Sequence, residues 1–163
     1  MIQVRLTSLA VDSRGLPVVM LEPVEAVSDA RRVLPIWIGV QEATAIMLAV
    51  EGAEPPRPLV YDLMTTVIDR LEARVHQVAV TKLEDKTYYA EITLRTQGGD
   101  EVIDARPSDS IALAVRTGAP IFVAEAVFAA AGVSDAASEG EEESEVAAFH
   151  EFLDSVDPED FRG

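Results

Sequence analysis

Alternation of apolar and polar positions dominates the chain, broken in a few places by apolar residues three and four apart. Ile2, Val4 and Leu6 alternate with Gln3, Arg5 and Thr7, the pattern of a strand with one buried face. The phase then slips, and Leu9 and Val11 take over the apolar role, which predicts a bulge near Ser8. Arg14-Gly15 reads as a turn, Pro17 to Pro23 as the returning strand, and Val33 to Ile38 as a third strand ending at Gly39. Ala43, Ile46, Met47 and Val50 recur at helical spacing, so a helix is expected from Gln41 to Glu51, stopped by Gly52.

Pro55, Pro56 and Pro58 form a stiff connector that cannot be helical. A second helix is predicted from Leu59 to Ala73, with Val60, Leu63, Met64, Val67 and Leu71 along one face. Val75 to Leu83 and Thr87 to Thr96 read as a hairpin about Glu84-Asp85-Lys86. Tyr88, Ala90, Ile92 and Leu94 form its inner row, and Tyr89, Glu91, Thr93 and Arg95 its outer one. A further strand ends at Arg106. Pro107 then fixes φ, and Ser108 or Asp109 is placed to accept the free N–H groups of a helix over 109–117. A strand at Ile121–Val123 and a short helix from Glu125 to Ala131 complete the core.

Three strand-like segments and a helix thus occur twice. Ile46-Met47-Leu48-Ala49-Val50 before Gly52 echoes Ile111-Ala112-Leu113-Ala114-Val115 before Gly118. The fold class is α+β: one compact domain with a mixed or antiparallel sheet and packed helices, in which duplication of a β-β-β-α unit and chance similarity both stay open. Residues 1–133 make up that domain. Residues 134–145 are small, polar and acidic, the composition of a disordered linker. Within 146–163, Val146, Phe149, Leu153 and Val156, with Phe152 beside them, build a short amphipathic helix before Pro158. Alone it is marginal in water, so it is expected to dock on its own core, a sister subunit or another protein. Several sheet edges favour a homo-oligomer, dimer or higher.

Composition narrows the functional classes. The 163 residues are 48% hydrophobic, enough for a core, yet no run approaches the roughly 20 apolar residues of a membrane span. The start of the chain has no signal-peptide layout, and zero cysteines exclude disulfides and thiolate zinc sites. The expectation is a cytoplasmic protein with no membrane contact. The net charge of −16 is uneven: residues 1–133 hold 18 acids against 12 bases, and residues 134–163 hold 11 against one. This balance opposes tight non-specific binding to DNA or RNA, although divalent ions can bridge carboxylates and phosphates.

No G-x-S-x-G, Walker loop or H-E-x-x-H occurs, and the two histidines, His76 and His150, favour structural and solvent-facing roles. A carboxylate site is the more credible chemistry, because two-metal phosphoryl transfer needs several Asp or Glu oxygens around a pair of ions. Candidate ligands are Glu42, Asp62, Asp104 and Asp109, with Mg²⁺ or Mn²⁺ as the ion and no organic cofactor. Arg57, Arg106 and Arg116 are candidates to grip phosphate oxygens. Each has an architectural reading as well. Glu42 and Asp109 suit helix N-termini, Asp104 lies two residues from Arg106 on one strand face, and the arginines suit structural ion pairs with these acids.

Several ordered motifs are recognisable. Asp104 to Ala114, Leu34-Pro35-Ile36-Trp37-Ile38-Gly39 followed by Glu42-Ala43, Arg57-Pro58-Leu59 followed by Asp62-Leu63, and Tyr88-Tyr89-Ala90 together closely resemble the bacterial bifunctional nuclease domain family. The resemblance covers roughly residues 1–130. Phe149-His150-Glu151-Phe152-Leu153-Asp154 and Pro158-Glu159-Asp160-Phe161 look like the tail of many bacterial members. It implies a nuclease that hydrolyses phosphodiester bonds of DNA and RNA with a divalent ion. On that expectation Asp104, Arg106 and Asp109 form the catalytic set, Asp104, Asp109, Glu42 and Asp62 hold the metal, and Arg57 and Arg116 bind substrate. The rival reading is a non-catalytic homo-oligomeric binding or regulatory module whose polar motif is structural.

Overall fold

The computed structural model describes residues 1–25 and 32–134. The expected acidic linker and docking helix lie outside the described residues. Eight strands form one sheet in the order β6-β5-β4-β7-β1-β2-β3-β8. In sequence they are β1 (Ile2–Val11), β2 (Pro17–Pro23), β3 (Arg32–Trp37), β4 (Arg74–Glu84), β5 (Thr87–Thr96), β6 (Gly99–Ala105), β7 (Ile121–Val123) and β8 (Val133–Ser134). The helices are α1 (Val40–Val50), α2 (Val60–Arg70), α3 (Pro107–Thr117) and α4 (Glu125–Ala131).

Two antiparallel meanders account for six strands, β1-β2-β3 followed by α1 and β4-β5-β6 followed, directly, by α3. β7 lies between them, antiparallel to β1 and parallel to β4, so β1 and β4 run in opposite directions. That order and polarity are those of two units related by a two-fold axis normal to the sheet, with α1 and α3 packed against each other. The repeated strand and helix pattern of the sequence is therefore also a spatial pattern. All pairings are antiparallel except β4 with β7. The sheet curls strongly: the Tyr88 hydroxyl on β5 lies 3.5 Å from the Pro35 carbonyl on β3, although four strands separate them.

Local sequence explains most boundaries. The register of β1 on β2 shifts between Leu6 and Ser8, which is the expected bulge. Asp85 and Lys86 take φ of 49° and 63°, the paired positive values of a two-residue hairpin turn. Ala90 and Ile92 of the inner row are buried, while Tyr89 and Glu91 face solvent. Gly118, at φ 69°, ends α3 in the left-handed conformation that a side chain resists. The core joins Val19, Leu21, Leu34, Ile46, Ile111 and Leu113 from both halves.

Two expectations need correction. Ser108 and Asp109 do not cap α3; Arg106 occupies the N-cap position, Pro107 is the first helical residue, and no side-chain oxygen caps the helix. Helix α2 is shorter than predicted, and its apolar stripe faces outward. Val60 is 61% exposed, Leu63 57%, Met64 38%, Val67 49% and Leu71 73%, while Tyr61 and Ile68 provide the inner contacts. Trp37 is half exposed and donates its indole N–H to Asp12 at 3.1 Å. Strand β8 was not anticipated; it carries the paired sheet to Ser134 through Arg32 and Val33 of β3. Among the described residues no helix is long and apolar enough to cross a membrane.

Candidate functional site

Three helices begin at one place, and each carries an acid at its third position: Glu42 on α1, Asp62 on α2 and Asp109 on α3. An acid in the first turn is favoured by the unpaired N–H groups and the helix dipole. Only Asp62 spends its carboxylate on the helix itself, accepting the Leu59 N–H at 2.8 Å. The others turn to arginine.

Arg106 is the hub. Its Nε and Nη2 donate to the two oxygens of Asp109 at 2.7 and 2.9 Å, a bidentate fork. Nη2 also donates to Glu42 at 2.8 Å. Nη1 has no partner among the described residues, and the side chain is 66% exposed. The Glu42 carboxylate folds over Gly39, where a Cβ would collide with it, so glycine at that position lets Glu42 reach Arg106. Tyr61 completes the cluster by donating its hydroxyl to Asp109 at 2.6 Å.

A second guanidinium braces the helices from beneath. Arg116 is 9% exposed and donates to Asp62 at 2.8 Å and to the Ala45 carbonyl of α1 at 2.9 Å. Its guanidinium also lies 5.4 Å from the centre of the Tyr61 ring, a cation–π arrangement. One side chain of α3 thus ties α1 and α2 together.

Electrostatics fix the protonation states. Burial works to raise the Asp109 pKa, but the hydrogen bonds from Arg106 and Tyr61 and the Arg106 charge outweigh it, leaving the group below the ordinary value. For Asp62, burial again works upward and loses to Arg116 and the Leu59 N–H. Tyr61 is pushed well up, first by burial and then by the hydrogen bond and charge of Asp109. Arg106 is raised chiefly by Asp109, then by Glu42. At neutral pH Asp109 and Asp62 are ionised acceptors and Tyr61 is a protonated donor.

The seven residues singled out from sequence divide cleanly. Glu42, Arg106 and Asp109 meet in one cluster, and Asp62 and Arg116 form the pair next to it. Asp104 and Arg57 stand apart. Asp104 is exposed on β6 opposite Glu91 of β5, and it does not engage Arg106, whose backbone has already left the strand. Arg57 is exposed in the proline-rich connector with no ion pair among the described residues. Tyr61 was missed, although its place beside Asp62 at the start of α2 was a usable signal.

The donor set does not fit a divalent ion. Both oxygens of Asp109 and of Asp62 are taken by protein donors, and Glu42 is tied to Arg106. Among the described residues no three His, Asp or Glu side chains gather as an ion site. The arrangement presents instead a guanidinium with one open edge, held rigidly where three helix N-termini converge. That geometry can receive an anionic oxygen. A separate cleft of about 660 Å³ opens at the far ends of α2 and α3, lined by Thr65, Asp69, Arg74, His76 and Arg116.

The bifunctional nuclease domain model matches residues 19–136. The chain is 42% identical over 167 aligned positions to an uncharacterized protein of Mycobacterium tuberculosis, covering 98% of each chain and so running well past Ser134. It is 34% identical to bifunctional nuclease 2 of Oryza sativa subsp. japonica over 94 residues, 55% of this chain and 29% of the plant protein. Bifunctional nuclease 1 of Arabidopsis thaliana matches at 33% over 93 residues, again 55% and 29%.

Proposed function

Because the chain belongs to the bifunctional nuclease domain family, we propose that it is a nuclease hydrolysing phosphodiester bonds of DNA and RNA. In this reading the substrate phosphate docks at Arg106. The observation that carries it is the exposed guanidinium fixed by Asp109 and Glu42 at the meeting of three helix N-termini. Asp109 and Glu42 orient the guanidinium, Tyr61 positions Asp109, and Arg116 with Asp62 holds the helices in register. No step is assigned to a metal ion, since the carboxylates already have partners.

One observation favours a non-catalytic binding or regulatory module instead. The network joins three carboxylates to two guanidiniums, and each carboxylate already has an arginine partner, as in an architectural cluster.

Cleavage of labelled single-stranded DNA and RNA by highly purified protein, with and without Mg²⁺ or Mn²⁺, separates the two. Loss of a charge-assisted contact to phosphate in Arg106→Ala should lower cleavage by about 10- to 100-fold in protein shown to be folded. Asp104→Asn, remote from the cluster, should cleave at the wild-type rate. Wild-type cleavage in Arg106→Ala overturns the phosphate assignment, and absence of cleavage under every condition leaves the binding module.

A further inference from the structure

The apolar stripe of α2 is a plain mismatch between chemistry and surroundings among the described residues. Five side chains, Val60, Leu63, Met64, Val67 and Leu71, recur three and four residues apart and are all exposed. A stripe at that spacing is the seam by which one helix packs on another. Contiguous apolar surface of this kind marks an interaction site. We propose that residues 146–156 of this same chain dock as a helix along the α2 stripe.

Pattern, charge and reach all favour this occupant. Val146, Phe149, Leu153 and Val156 are spaced three, four and three apart. At 1.5 Å per residue both seams are about 15 Å long. The α2 stripe is bracketed by Arg57 before it and Arg70 and Arg74 after it, all exposed and without ion pairs among the described residues. Glu54, Asp69 and Glu72 equal them in number, so the complementarity lies in the three unpaired guanidiniums and not in net charge. The tail is strongly acidic, with Glu145, Glu151, Asp154 and Asp157 in and around the seam and no base before Arg162. A second copy of α2 is a poorer match, because pairing Val60 with Leu71 of the other copy brings Arg57 toward its Arg70–Arg74 end.

Distance poses no obstacle. The paired structure ends at Ser134 on β8. Twelve residues to Val146 span at most about 42 Å. The helix α2 packs on α3 and β4. Five strand spacings separate β8 from β4, about 24 Å of sheet.

The chain has no cysteine, so introduced pairs report docking directly. In the full-length protein, Leu63→Cys or Val67→Cys is combined with Phe149→Cys or Leu153→Cys, a set that samples both helix directions. Mild oxidation should give an intramolecular disulfide in monomeric protein. It should form about tenfold faster than in a control joining Phe149→Cys to Val102→Cys on β6, where only random tail encounters apply. Rates equal to the control, or no cross-link, overturn the proposal. Disulfide-linked dimers of Leu63→Cys alone assign the stripe to a second copy, and dimers only from the paired variants assign it to another chain's tail; either result also overturns it. Mass spectrometry of the oxidised protein identifies the linked peptides.

Discussion

At the Tyr61 hydroxyl, 2.6 Å from Asp109, the polar cluster meets the apolar core, because the ring above it is 5% exposed. Tyr61→Phe keeps the ring and its contact with Arg116 but removes the donor. A lost hydrogen bond of this kind costs about 1–2 kcal/mol, and thermal melts should show it. The pH dependence follows from the directions of the shifts. Asp109 and Asp62 have lowered pKa values when folded, so their stabilisation is present above about pH 4 and is lost as pH falls through the folded values. Tyr61 is raised, so its contribution is full below about pH 10 and declines as pH rises further. Melts of Asp109→Asn should therefore lose less stability between about pH 5 and 3 than those of the unaltered chain; an unchanged acid limb would exclude Asp109 as a determinant. Glu42, Arg106 and Asp109 were legible as candidates because acids are favoured at helix starts and Arg106 stands directly before Pro107 at a strand-to-helix junction. Asp104 misled, because period-two alternation places it beside Arg106 only while both lie on a strand, and Arg106 is already the helix cap. Tyr61 escaped because the chemistry sought was metal and phosphate ligation, whereas its part is to hold a carboxylate.

Among the elements, α2 shows what periodicity does and does not determine. Spacing identified a helix and its apolar stripe, but a stripe does not say which partner it meets. The side turned toward α3 is chosen by the Tyr61–Asp109 and Asp62–Arg116 pairs, contacts between residues 48 and 54 positions apart. Such pairs are invisible to local pattern. Helix α1 and the β4–β5 hairpin were legible for the opposite reason, since their signals, Gly52 as a stop and Asp85-Lys86 as a turn, act within a few residues. Arg116→Ala should loosen α1, α2 and α3 together, because one guanidinium serves all three. The loss of its buried charge-assisted bonds is worth about 2–3 kcal/mol. Hydrogen exchange should rise along Val60–Arg70, and an effect confined to α3 would show that Arg116 is not the brace.

For the whole molecule, the folding unit is larger than the family match. The match begins at residue 19, within β2, yet β1 supplies hydrogen-bonding partners to both β2 and β7. A chain starting at Val19 should therefore lack a cooperative thermal transition, whereas one starting at Ile2 should keep it. Retention of a sharp transition by the shorter chain would make β1 an accessory strand. The two-fold pattern was legible as a repeat of three strands and a helix, because each meander is built from neighbours in sequence. The seam was not. It depends on β7, three residues long, whose place between β1 and β4 follows from where α3 ends and not from its own composition.

That seam also sets an order of assembly. Ile2 pairs with Val123 and Val4 with Ile121, so the first of the described strands is joined to the seventh. During synthesis the β1-β2-β3 meander can form early, but its β1 edge stays open until β7 has emerged. Closing so long a loop is slow, and an unpaired edge in the meantime invites pairing with other chains. The acidic tail cannot shield that edge, because it follows β7 in sequence and emerges only after the edge's partner has done so.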